Sequence, residues 1–106
     1  MDFNNKVVLV TGASRGIGAA IAKAFAAEGA VVAVNFLQNT RAAAATIAEC
    51  QNLGGEASAF QADVTDVDAI TALVGEVAEA FGKIDILVNN AFRPYIFNSE
   101  FRKMFW

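Results

Sequence analysis

The feature that most constrains the fold is a repeated switch in hydrophobic period. Lys6-Val7-Val8-Leu9-Val10-Thr11 is a continuous apolar run, the pattern of a buried strand. From Ile17 onward the apolar residues fall at helical spacing, at Ile17, Ala20, Ile21, Ala24 and Phe25. Gly29 supplies the stop, as a left-handed cap residue does. Ala30 to Asn35 is a second apolar run. Arg41 to Leu53 reads as an alanine-rich helix closed by Gly54-Gly55. Ala57 to Ala62 is a third, weaker strand. Thr65 and Asp68 have the spacing of a capping box. The helix after them carries Ile70, Leu73, Val74, Val77 and Phe81 on one stripe and ends at Gly82. Ile84 to Val88 is a fourth strand, running into Asn89-Asn90-Ala91. Strand and helix therefore alternate as β-α-β-α-β-α-β with short links. That order predicts an α/β fold, a doubly wound parallel sheet with helices on both faces. Phe25, Phe60, Ile70 and Phe81 are expected in its core.

Composition removes whole classes of function. With 106 residues the chain is one small domain, and its 56% hydrophobic content excludes disorder. No stretch approaches the roughly 20 apolar residues of a membrane span. The start Met1-Asp2-Phe3-Asn4-Asn5 has no basic, apolar leader, so a secretory signal is not expected. Eight basic against eleven acidic residues give a net charge of −3, and no basic cluster suggests nucleic acid. There is no histidine and a single cysteine, Cys50. An intrachain disulfide, a His/Cys zinc site and a histidine base are all excluded. A reducing cytoplasm is the expected compartment, and Cys50 is expected to be an inert small hydrophobe.

The strongest chemical signal is Thr11-Gly12-Ala13-Ser14-Arg15-Gly16-Ile17-Gly18, between the first strand and the first helix. Glycines let a backbone approach a pyrophosphate and let the helix pack tightly on its strand. The helix N-terminus then offers free N–H groups and partial positive charge. The spacing is G-x-x-x-G-x-G, not G-x-G-x-x-G. Dinucleotide-binding folds usually end the second strand with an acid that holds the ribose 2′-hydroxyl. Asn35 occupies that place here, and no acid lies between Glu28 and Glu49. Arg15, always charged and forked, sits where a 2′-phosphate could reach it. Both features favour NADP over NAD. Asp63-Val64 follows the third strand, where a carboxylate can accept from an adenine amino group. Asn89 and Asn90 stand at the carboxyl edge of the sheet, where ligands bind.

Together these motifs resemble the short-chain dehydrogenase/reductase family from Lys6 to Ala91. The similarity is greatest to its 3-oxoacyl-carrier-protein reductase type, with the Gly-Ala-Ser-Arg-Gly-Ile-Gly turn. The resemblance implies a Rossmann-like sheet, here expected to be truncated after the fourth strand. Residues 1–91 would form an NADP-binding half-domain, and 92–106 a loop and an incomplete helix starting near Asn98. It further implies that Gly12, Ser14, Arg15, Gly16, Ile17 and Gly18 wrap the cofactor's phosphates. Asn35 would lie near the 2′-phosphate, and Asp63 and Val64 would hold adenine. Asn90 and Ala91 would line the ribose and nicotinamide side. Asn89 would brace the central strands, and Thr11 would tie the turn to strand four.

Two departures from the family pattern stand out. Phe92 replaces the usual glycine after Asn-Asn-Ala. The family's catalytic Ser, Tyr, Lys and Asn have no counterparts, because the only tyrosine, Tyr95, has Ser99 four positions on. No catalytic residue is therefore assigned. The expected function is NADPH-dependent carbonyl/alcohol interconversion, present as its cofactor-binding half and inactive in this form. The alternatives are a stand-alone, non-catalytic dinucleotide-binding module that pairs with another chain, and a regulatory α/β domain with another phosphate ligand. An open fourth strand and the apolar set Phe97, Phe101, Met104, Phe105 and Trp106 predict a homo-oligomer or a swapped partner.

Overall fold

The computed structural model describes residues 2–90. The chain runs β1 (Val7–Val10), α1 (Gly16–Ala27), β2 (Val31–Phe36), α2 (Thr40–Asn52), β3 (Glu56–Gln61), α3 (Val67–Phe81) and β4 (Ile86–Val88). The strands form one sheet in the order β3-β2-β1-β4, and every pairing is parallel. This is the alternating α/β architecture expected from the hydrophobic pattern, and the Rossmann-like sheet that the resemblance implies. The expected loop and helix over 92–106 lie outside the described residues.

The continuous apolar run of β1 has a simple cause. All four of its residues are buried, because β1 is central and covered on both faces. Val8 and Val10 join Val32, Val34, Ala22, Ala26 and Cys50 in the core beneath α1 and α2. Val7 and Leu9 join Ala33, Leu73 and Val77 in the core beneath α3. Each such fully buried Val or Leu contributes about 1.5–3 kcal/mol. The edge strand β3 carries Glu56, Ser58 and Gln61 outward, which explains its weaker signal.

Three local expectations are corrected. The stripe Ile17, Ala20, Ile21, Ala24, Phe25 does not mark the buried face of α1. Gly18, Ala19, Ala22 and Ala26 do, while Ile17 is 74% exposed. Small residues bring the helix close to the sheet, and the larger Ile21 and Phe25 pack at the margin. Secondly, Thr65 and Asp68 form no capping box. Asp66 is the N-cap of α3 and accepts from the Asp68 and Ala69 amides. Thr65 instead donates its amide and its hydroxyl to Asp63 Oδ1. Thirdly, Ile70 is 38% exposed rather than core, and Val74 of the same stripe is 43% exposed. Only Leu73 and Val77 of that helix are buried, while Phe60 and Phe81 meet edge-on at its margin. Gly29 ends α1 as expected, at φ +90°, with Asn4 packed where a side chain would stand.

Because β3 lies at one edge and β4 at the other, the chain crosses the sheet between them. β1 and β4 thus flank a topological switch point, and ligands of such sheets bind in the crevice at its carboxyl end.

Candidate functional site

A cleft of about 660 Å³ opens at that carboxyl end. Its floor is the turn between β1 and α1. Gly12 (φ +61°) and Gly16 (φ +66°) take the left-handed conformation that favours glycine, so the turn's sequence follows from its shape. A Cβ on Gly16 would meet nothing within 4 Å, so the backbone there faces open space in the cleft. Gly18 serves packing instead. A Cβ there would collide with the Gly12 carbonyl and with Asn90 Nδ2.

The turn is held from several sides. Asn35 Oδ1 accepts from the Gly12 amide at 3.1 Å, and the Asn35 carbonyl accepts from the Ala13 amide at 2.8 Å. Asn90 Nδ2 donates to the Gly12 carbonyl at 3.2 Å. The Thr11 hydroxyl accepts from the Asn90 amide at 2.9 Å and faces Val88 O and Asn89 Oδ1, each at 3.4 Å. Thr11 therefore ties the turn to β4. Arg15 is the N-cap of α1, and its side chain makes no capping hydrogen bond to that helix. Its first amides keep the unmet donor capacity and partial positive charge of an open N-terminus.

The fold brings together most residues that the sequence singles out. Gly12, Ser14, Arg15, Gly16, Ile17, Asn35, Asp63, Val64 and Asn90 all line the cleft. Gly18 and Asn89 are not in its lining, and Ala91 lies outside the described residues. Among the described residues Arg15 and Asp63 are the only charged ones in the lining. Asn35 reaches the cleft wall yet is only 2% exposed. Its Nδ2 donates to the Phe60 and Ala62 carbonyls at 3.2 and 3.3 Å, so both amide protons are engaged within the protein. Its side chain is a brace between the turn, β2 and the end of β3.

Sequence reasoning missed Leu37, Gln38 and Asn39, which line the cleft after β2, and also Ala62 and Thr65. The rule that ligands meet the carboxyl ends of strands was the available signal. Asn39 also caps α2 by accepting from the Ala42 amide at 2.9 Å. Among the described residues no group of acidic, His or Cys side chains could hold a metal. No described helix is long and apolar enough to cross a membrane.

A glycine turn under an open helix end, at the switch point of a parallel sheet, defines a Rossmann-like nucleotide-binding class. Comparison with known proteins narrows it. The short chain dehydrogenase family matches residues 6–103, and the chain belongs to that family of oxidoreductases. It is 51% identical over 86 residues to a 3-oxoacyl-acyl-carrier-protein reductase of Synechocystis sp., covering 81% of this chain and 35% of the relative. It is 52% identical over 91 residues to a galactitol 2-dehydrogenase of Agrobacterium fabrum, covering 86% and 34%. A short chain dehydrogenase of Burkholderia cenocepacia, solved in complex with NADP, superposes with a TM-score of 0.83 at 50% identity. That match covers 88% of this chain and 38% of the other. The chain thus spans about a third of the length of the relatives it matches.

Proposed function

We propose that this chain binds NADP(H) in the cleft, as the cofactor-holding part of an NADPH-dependent oxidoreductase that interconverts carbonyls and alcohols. The observation that carries the reading is the left-handed glycine turn beneath an uncapped helix end, with Arg15 at its head. The residues fit a dinucleotide. Open space beside the Gly16 backbone leaves room for phosphate oxygens, and no carboxylate shares the turn with Arg15.

In this reading Gly12, Ser14, Gly16, Ile17 and Gly18 form the pyrophosphate turn, and Arg15 pairs with the 2′-phosphate. Asp63 and Val64 hold adenine. Asn90 and Ala91 border the ribose and nicotinamide side. Asn89 and Asn35 support them from behind. The bound cofactor supplies hydride. Carbonyl reduction also needs a proton donor beside the reacting oxygen. Tyr95 with Ser99 does not repeat the family's Tyr/Lys spacing, so the reading gives Tyr95 no proton-donor role and takes residues 1–91 as a binding half-domain that is inactive by itself.

The reading includes self-association and a reducing cytoplasm. Fluorescence titration with NADPH and NADH tests the central claim. Saturable binding with NADPH at least about tenfold tighter is expected from one charge-assisted phosphate contact. Binding of neither cofactor overturns the reading, and equal affinities overturn the NADP preference.

A further inference from the structure

We infer that Thr46 is a positioning residue of the phosphate turn, through which α2 sets the orientation of the peptide at the head of α1. This rests on the cofactor reading above. Thr46 lies in the middle of α2, is 4% exposed, and lines no part of the cleft. Its hydroxyl donates to the Ser14 carbonyl at 2.8 Å, across 32 residues of sequence. A helical threonine commonly returns its hydroxyl to a carbonyl one turn back. Thr71 does so, donating to the Val67 carbonyl at 3.0 Å. Thr46 reaches out of its own helix into the turn instead.

The consequence follows from peptide geometry. A trans peptide is planar, with its C=O and N–H directed oppositely. Holding the Ser14 carbonyl against α2 directs the Arg15 N–H away from α2, and Arg15 is the N-cap of α1. The bond also keeps a carbonyl oxygen, which repels an anion, fixed within the protein. The earlier part of the turn is held by other elements: Asn35 takes the Gly12 and Ala13 amides, and Asn90 takes the Gly12 carbonyl. The Thr46 hydroxyl secures the peptide that these leave free to rotate.

The test compares Thr46→Val, which removes the donor at matched volume, with Thr46→Ser, which keeps it. NADPH, ADP and adenosine 2′-phosphate are titrated against each, and amide hydrogen exchange is followed across residues 12–18. Thr46→Val should weaken NADPH and ADP, which carry the diphosphate, by about tenfold. Adenosine 2′-phosphate, which lacks it, should change less than about threefold. Thr46→Ser should restore both diphosphate ligands. Exchange in the turn should quicken in Thr46→Val relative to the middle of α1, with or without ligand. Equal losses on all three ligands, or no change in turn exchange, overturn the inference. A wild-type chain that binds no ligand overturns the cofactor reading alone, and the exchange comparison still decides the role of Thr46.

Discussion

Replacing Asn35 with aspartate is the obvious step for anyone wishing to give this fold the acid of an NAD-selective site. The structure predicts that Asn35→Asp destabilises the chain and gains no NADH affinity. The new carboxylate could still accept from the Gly12 amide, as Asn35 Oδ1 does at 3.1 Å. It could not donate to the Phe60 and Ala62 carbonyls, which Asn35 Nδ2 holds at 3.2 and 3.3 Å. Two carbonyls would lose their donor and face a carboxylate in a site 2% exposed. Each lost partner costs about 1–3 kcal/mol, so the sum is about 2–6 kcal/mol. Small domains have only about 5–15 kcal/mol of net stability. The sign of the pH dependence follows. Burial beside carbonyls raises the folded-state pKa of the new carboxyl above its unfolded value of about 3.9. The variant should therefore lie nearest wild type below that pH and lose ground as pH rises, until the carboxyl ionises in the folded state. Urea denaturation at pH 4 and pH 7 measures both effects. A variant within about 0.5 kcal/mol of wild type at pH 7, beneath the cost of one lost partner, would refute the reasoning.

Further predictions concern other parts of the chain. Arg15→Ala should weaken NADPH binding about 10–100-fold and NADH binding far less, and paired titrations check this. Gly18→Ala should destabilise the turn, because its methyl meets the Gly12 carbonyl and Asn90, and the melting temperature should fall with NADPH affinity. Asp85 accepts from the Val7 amide at 2.8 Å and pairs with Lys83 at 3.1 Å, and these contacts hold its carboxyl below the usual pKa. Its stabilising contribution should be present above about pH 3.9 and disappear as pH falls through the lowered value; Asp85→Asn should flatten that part of an acid titration. Cys50 is fully buried and its thiol pKa is raised by desolvation, so iodoacetamide should label it only in denaturant. Rapid labelling of the native chain, followed by mass spectrometry, would contradict that placement.

How far the fold could be read from sequence varied with the strength of each local signal. β1 was plain because a strand covered on both faces must be apolar throughout. Gly29 was plain because a left-handed helix end leaves few residue choices. The face of α1 was not legible, since an alanine-rich helix presents apolar residues on several sides and only packing against the sheet selects Ala19, Ala22 and Ala26. Asp66 prevailed over Thr65 as a cap because Thr65 found a nearer partner in Asp63. Within the cleft, the glycine turn and Arg15 stood out by spacing and charge. Leu37, Gln38 and Asn39 carry no motif, and their place depends on where β2 ends. Thr46 was invisible for a different reason: its hydrogen bond links two segments that only the finished packing of α2 brings together.

The sheet order has a consequence for how the cleft comes into being. Thr11 and Gly12 lie near the start of the chain, but their bonds to Val88, Asn89 and Asn90 span 77 to 79 residues. Closing so long a loop is entropically costly, and contacts at that separation make assembly slow. A nascent chain that has produced β1, α1 and β2 already has the glycine turn and the Asn35 bonds to the Gly12 and Ala13 amides, while the Thr46 bond and the Asn35 contacts with Phe60 and Ala62 come later. It lacks the side of the cleft that arrives with β4. Ligand binding therefore reports on the pairing of β4 with β1, and a dinucleotide added during refolding would trap the chain only after β4 has reached β1.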